Sequence, residues 1–275
     1  MRGRATGEER DSGTGCTLRD DIPPLIGSPP RHMLRVKSLA REELIAFVLE
    51  NASVVSEEET LAVLDNANVT TQIVGKIAQT ARLTGYYSVR FRLVAHRQTP
   101  LAHSVKLVHY LYWFDLLALS VDVQVPAPVR RAIDTQLMIK VENLTTGDKV
   151  ASARRCSQAL INIFLYDPEP KVFAALLVNK RLREEDLLVL VNSDRATPDQ
   201  LLMLAQDAHW SYRYAIRKAL VMNPATPRSA AASQLKHLSR GDLRRIHASA
   251  KTTVYVRRCI ERLRPDDFSA VMRSE

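Results

Sequence analysis

The sequence predicts an all-α solenoid, a stack of short paired helices, on three observations: a helix-favouring composition, a long internal repeat, and evenly spaced helix-start signals. Of the 275 residues 46% are hydrophobic and only 9 are glycine. Leu, Ala, Arg and Val dominate, which favours helices over strands, and so little glycine leaves few tight hairpins. The repeat is direct. Sliding the chain by 127 positions aligns Glu57 to Leu137 with Glu184 to Arg264 without a gap, and 20 of those 81 pairs are identical. The matches include Glu57-Glu58 with Glu184-Glu185, Ala78-Gln79 with Ala205-Gln206, Tyr87 with Tyr214, Thr99-Pro100 with Thr226-Pro227, Asp115-Leu116 with Asp242-Leu243, and Val129-Arg130-Arg131 with Val256-Arg257-Arg258. A shorter period sits inside the long one, because an apolar β-branched residue recurs at 89, 129, 172, 216 and 256, in steps of 40, 43, 44 and 40. That step fits units of two or three helices.

Taken in order, residues 1 to 36 are rich in Gly, Pro, Ser and mixed charge without helical periodicity and read as a disordered tail, in which Met33 is a candidate true start. Residues 37 to 275 read as one solenoid domain. Its first helix follows a possible Ser38 cap, with Leu44, Ile45, Val48 and Leu49 at helical spacing. The most apolar stretch, Leu107 to Val125, carries Asp115 and Asp122, so a buried helix pair accounts for it better than a membrane span. Thr99-Pro100, Thr197-Pro198 and Thr226-Pro227 each place a capping hydroxyl ahead of a proline suited to the first helical position. Asp167-Pro168-Glu169-Pro170 reads as a turn. In the last helix Val256, Cys259, Ile260 and Leu263 form the core face, and Arg258 and Arg262 point away from it.

The segment Ala215-Ile216-Arg217-Lys218-Ala219-Leu220-Val221-Met222-Asn223-Pro224-Ala225-Thr226-Pro227 resembles the bacterial leucine-rich repeat variant family and its HEAT-like relatives. There an apolar-Arg helix runs into an Asn-Pro-x-Thr-Pro turn and then a Leu-rich helix. Weaker copies begin at Val89-Arg90 and at Val172, and the resemblance spans about residues 56 to 266. It implies a curved bacterial α-solenoid whose usual role is binding, and it implies no reaction. The variant-repeat protein resembled is associated with an iron–sulfur cluster. The three cysteines here, Cys16, Cys156 and Cys259, are too scattered to carry that site over or to suggest a disulfide framework. A reducing cytoplasm fits them, and the charged N-terminus argues against a signal peptide.

The net charge of +9 is unevenly placed. From Arg213 to Arg264 thirteen Lys and Arg face only Asp242 and Glu261, so this stretch holds the whole excess and suits a polyanionic partner. Arginines 90, 130, 217 and 257 recur after the core β-branched residue, and repetition at one position argues for structure: reaching an acidic residue or open carbonyls of the preceding turn. Lys236, Arg240, Arg244, Arg245, Lys251, Arg258 and Arg262, whose counterparts one long period earlier are mostly neutral and which have few acidic neighbours, are the candidate binding residues for an acidic partner or a phosphate backbone; a solvated cap of the array is the alternative.

Trp113 and Trp210, with Tyr86, Tyr87, Tyr110, Tyr112, Tyr212 and Tyr214, could stack bases, but aromatics at helical spacing are usually core. Trp113 with Asp115 superficially matches HEAT-like DNA glycosylases, yet Asp115 repeats as Asp242 at a helix start, where a cap is expected. The spacing of His96, His103 and His109 lacks a paired Cys or carboxylate pattern, so surface or packing histidines are expected, and no cofactor or metal site. Three readings of function stand in this order: a non-enzymatic scaffold binding a protein or peptide, a nucleic-acid-binding solenoid using the basic C-terminal end, and a base-excision enzyme.

Overall fold

The computed structural model describes residues 36–51 and 54–268, and the regular structure among them is entirely helical. The expected tail, with Met33, lies outside the described residues except for Val36. Val36 is buried in the core, and its carbonyl accepts from Asn66 Nδ2 at 2.9 Å.

The helices are short and pack only locally. Close packing joins helices one, two or three places apart in the chain: Trp113–Val121 lies against Ala127–Lys140, Thr146–Ala153 against Pro170–Leu177, and Glu57–Leu64 against Tyr87–Ala95. Helices of this length are marginal alone, so each is held by the apolar faces of its neighbours. A chain in which every unit leans on the next is an α-solenoid.

Helix bounds follow the 127-residue offset residue for residue. Glu57–Leu64, Thr71–Gln79, Tyr87–Ala95, Leu101–Val108 and Trp113–Val121 correspond to Glu184–Val191, Pro198–Gln206, Tyr214–Met222, Arg228–Leu235 and Arg240–Ala248. The short helix Ala81–Gly85 has only a turn as its counterpart. The shorter period also has a single structural meaning. Val89, Val129, Val172, Ile216 and Val256 are each the third residue of their helix, and all are buried.

One turn recurs between helices and explains the rest of the pattern. A polar residue at the end of one helix (Asn66, His96, Asp122, Asn179, Ser193, Asn223 or Ser249) uses its side chain to accept the backbone N–H two residues on. Its own carbonyl accepts the N–H three residues on, from Val69, Thr99, Val125, Leu182, Ala196, Thr226 and Thr252 in turn, and each of these is buried. The following residue is the N-cap of the next helix. A polar hook, a buried plug and a cap thus reverse the chain in five residues without glycine.

This turn corrects the reading of the Thr-Pro pairs. Thr197 does cap its helix, accepting from Gln200 N–H, with Pro198 in the first helical position. Thr99 and Thr226 instead fill the buried plug position, and their hydroxyls donate backward to the carbonyls of Leu93 and Leu220, both at 2.6 Å. The prolines after them are the N-caps. In the second copy Pro224 has no N–H to give Leu220, so the Thr226 hydroxyl supplies the donor.

Other expectations were met in part. Asp167 closes the turn before Pro170–Leu177, accepting from Glu169 N–H at 3.0 Å. The first helix spans Arg41–Asn51, three residues past Ser38, and it buries Leu44 and Val48 while Leu49 is exposed. In the last long helix Val256 and Ile260 are buried, but Leu263 is 43% exposed because it sits at the helix end, beyond the next packed turn. The apolar stretch from 107 to 125 breaks at residues 109–112, and among the described residues no helix is long and apolar enough to cross a membrane. The buried apolar side chains form one cluster from Val36 to Leu220 and a smaller one from Val221 to Ile260.

Candidate interaction surface

All seven candidate basic residues are exposed, but they are not equally free. Arg240 and Arg244, one helical turn apart, converge on Asp267: Arg240 Nε donates to Asp267 Oδ2 at 2.8 Å and Arg244 Nη2 to Oδ1 at 2.9 Å. These bonds, Arg240's first, hold the Asp267 carboxyl down at about 2. Arg245 lies 3.9 Å from Asp242. The expectation of few acidic neighbours is therefore corrected for these three: the terminal helix Pro265–Phe268 folds Asp267 back onto Arg240 and Arg244, 23 to 27 residues along the chain, and Asp242 stands beside Arg245. Lys236, Lys251, Arg258 and Arg262 make no ion pair among the described residues.

Three of the recurrent arginines reach backbone carbonyls of the preceding turn. Arg90 Nη2 donates to Gly85 O at 3.2 Å, Arg217 Nε to Ser211 O at 2.5 Å, and Arg257 Nη2 to Ser249 O at 2.9 Å. Such bonds tie the start of one helix to the end of an earlier element. Arg130 makes no such bond.

Asp115 and Asp242 take part in a duplicated relay. The Tyr87 hydroxyl accepts from the Tyr112 N–H at 3.1 Å and donates to Asp115; the Tyr214 hydroxyl accepts from the Ser239 N–H at 3.0 Å and donates to Asp242 at 2.5 Å. In each copy the N-cap amide and the carboxylate in the first turn, which would meet directly in a capping box, are bridged by a tyrosine from the previous unit. Burial and the bond to Asp115 push the Tyr87 phenol up to about 12, while the bond from Lys218 Nζ holds Asp242 at about 2. Trp113 is similarly engaged, donating through Nε1 to Ser152 Oγ at 2.7 Å, and the buried Trp210 donates to Leu177 O at 3.0 Å. The Trp113 and Asp115 side chains are thus taken up by contacts within the fold.

The remaining aromatics behave differently. Tyr110 is 63% exposed, Tyr112 69% and Phe114 42%. Tyr112 packs its ring 4.5 Å from that of Tyr87, the Arg90 guanidinium lies 5.7 Å from the Tyr87 ring and 5.8 Å from the Tyr110 ring, and Arg155 lies 5.8 Å from the Phe114 ring. The result is a run of neighbouring side chains, Tyr110, Arg90, Tyr87 and Tyr112, in which the two outer rings are exposed and Arg90 and Tyr87 are half-buried, with Phe114 and Arg155 near it. The core expectation fails for Tyr110, Tyr112 and Tyr212 because all three lie in turns between helices, where helical spacing has no meaning, and for Tyr214, 43% exposed at the start of its helix. A legible signal existed in the sequence: the counterparts of Tyr110, Tyr112 and Phe114 are His237, Ser239 and Gly241, so the repeat does not require aromatics there.

The histidines show local uses. His96 is one of the polar hooks, its Nδ1 accepting from Gln98 N–H at 3.2 Å, and its partial burial lowers its pKa. His109 Nδ1 lies 2.9 Å from Gln136 Oε1. Among the described residues no three metal-ligating side chains come together.

Comparison of the chain with protein-family models, with curated proteins and with solved structures finds no match. The class of protein therefore rests on the fold itself: an α-solenoid carrying an exposed aromatic and arginine surface.

Proposed function

We propose that this chain is a non-enzymatic scaffold of the reducing cytoplasm that binds another protein, and that its main contact is the surface of Tyr110, Tyr112, Phe114, Arg90 and Arg155. One observation carries this reading: large aromatic side chains stand exposed in a turn, interleaved with arginines, at positions where the repeat does not require them. Tyr and Arg are the residue types that dominate binding energy at protein interfaces, because they bury much area for little lost freedom. Binding a nucleic acid strand wants stacking rings and a surplus of cations together. The Tyr110, Tyr112 and Phe114 rings lie apart from the charge excess in the sequence. The exposed rings beside or within that excess are Tyr212, Tyr214 and Tyr255, with Arg217 5.4 Å from the Tyr212 ring and Arg228 5.5 Å from the Tyr255 ring, and Asp267 already occupies two of its arginines.

The test compares affinity capture by the wild type and by Tyr110→Ser/Phe114→Ser, both treated with nuclease. The expected result is a partner set held at 0.5 M salt, where the Debye length is roughly 4 Å and simple charge attraction is largely screened, and lost by the variant with the fold unchanged. Retention of DNA or RNA by the purified wild type, with log affinity falling steeply against log salt and unaffected by these substitutions, would overturn the reading in favour of Lys236, Lys251, Arg258 and Arg262.

A further inference from the structure

We propose that the cleft between the helix Ala127–Lys140 and the turn Lys180–Arg183 binds a compact polyanion, a ligand carrying two or more phosphate or carboxylate groups. The cleft has a volume of 540 Å³, within the range of small-ligand sites. Four cationic side chains, Arg130, Lys180, Arg181 and Arg183, line it against a single carboxylate, Asp134. None of the four makes an ion pair among the described residues. Asp134 is half-buried and accepts from Ser157 Oγ at 2.8 Å, and its burial raises its pKa despite that bond and the nearby Arg130.

Two internal comparisons single this cleft out. Arg257, the counterpart of Arg130 in the repeat, spends its guanidinium on the Ser249 carbonyl. The Nε atoms of Arg90, Arg130 and Arg257 are all buried without a partner, but Arg90 and Arg257 each place an Nη on a carbonyl, whereas the Arg130 guanidinium makes no hydrogen bond to the protein. A desolvated donor with nothing to bind is a cost that a ligand in the cleft would remove. A second cleft, of 560 Å³, also lies between turns and carries Arg92 and Arg97, but there the fold supplies the partners: Arg92 pairs with Asp65, and Arg97 with the carbonyl and side chain of Gln124. Of these two clefts, the first leaves its cations without an ion-pair partner among the described residues.

The turn that supplies three of the four cations is also rigidly held. Asn179 is buried and donates through Nδ2 to Ala153 O at 2.7 Å, its Oδ1 accepts Arg181 N–H at 2.8 Å, and Asp186 accepts Arg183 N–H at 2.9 Å. Leu182 plugs the core between them. The amides of Arg181, Leu182 and Arg183 are thus spoken for, and the side chains of Lys180, Arg181 and Arg183 project from a fixed frame. Such preorganisation lowers the ordering cost of binding, and guanidinium forks match phosphate and carboxylate geometry.

The experiment is isothermal titration of the full chain with pyrophosphate and, separately, with citrate, at constant ionic strength. Saturable one-to-one binding of either probe is expected, and the ratio of the two affinities identifies the anion class. Arg130→Gln and Arg181→Gln should each weaken binding roughly tenfold or more, the worth of one charge-assisted contact. Lys106→Gln, an exposed cation outside the cleft, should leave it unchanged. Arg181 is exposed, so its variant carries the test even if Arg130→Gln unfolds. Absence of saturable heat with both probes at millimolar concentration, or equal weakening by Lys106→Gln, would overturn the proposal.

Discussion

Replacing Thr226 by valine removes one hydroxyl and adds one methyl group in nearly the same volume, so it isolates the bond from Thr226 Oγ1 to Leu220 O, which is 2.6 Å long and buried. The Leu220 carbonyl has no other donor among the described turn contacts. Four residues on stands Pro224, which has no N–H, and the Asn223 N–H is given to Ala219 O at 3.0 Å. Valine therefore leaves a desolvated acceptor, which costs about 1–3 kcal/mol. Thr99→Val should behave alike, because Leu93 O likewise depends on the Thr99 hydroxyl. Thr252→Val is the internal control. Its hydroxyl also donates backward at 2.6 Å, but the accepting Ile246 carbonyl keeps the Ser249 N–H at 3.1 Å. Only the net worth of one bond is then lost, about 1 kcal/mol, and the new methyl offsets part of it. Valine is the native residue at the same position in two other turns, Val69 and Val125, where Asn66 N–H and Asp122 N–H already serve the matching carbonyls. Thermal unfolding followed by circular dichroism should place Thr99→Val and Thr226→Val below the wild type by several degrees, at roughly 2–4 °C per kcal/mol for a chain of this size. Thr252→Val should move by less than half as much. Equal shifts in all three, or a larger shift for Thr252→Val, would refute the account of why threonine stands where it does.

Further outcomes follow from the same geometry. Lys149→Met strips the buried Asp167 of its partner at 2.9 Å and should destabilise the protein by about 3 kcal/mol, with part recovered when Asp167→Asn is added; chemical denaturation measures both, and no recovery would count against the pair. Tyr214→Phe and Asp242→Asn break one relay, so their effects on stability should be less than additive in the double variant, while full additivity would mean that the two groups act apart. The Asp242 and Asp267 carboxyls sit at about 2 in the folded chain, below their unfolded values. The stability they add is complete above the ordinary carboxylate range near about 4 and drains away as pH falls toward 2. Amide exchange should therefore show the last helices loosening first in that window, and Asp267→Asn should flatten the response; loosening that starts elsewhere in the chain would contradict it.

The architecture was readable because its two periods are written in residue identity. Val89, Val129, Val172, Ile216 and Val256 mark the same helical position five times, and a repeated buried site must repeat its residue type. The roles within the turns were harder to see. Thr99 and Thr226 look like caps because a hydroxyl before a proline satisfies the local rule equally well in either direction, and only the path of the previous helix shows that the hydroxyl faces backward. The surface was least legible. Arg240 and Arg244 look unopposed until the chain returns with Asp267, and Tyr110 looks like core until its turn is placed. Charge compensation and exposure are set by contacts about 25 residues away, which spacing alone does not encode.

The seam in the apolar packing falls within a single helix, where Leu220 belongs to the larger cluster and its neighbour Val221 to the smaller. The next helix, Arg228–Leu235, offers mainly alanine to bridge the two, so little grease spans the joint. The helix Tyr214–Met222 therefore belongs to both cores, Leu220 in one and Val221 in the other, and it packs directly on Arg228–Leu235. A change in this one helix is felt on both sides of the seam.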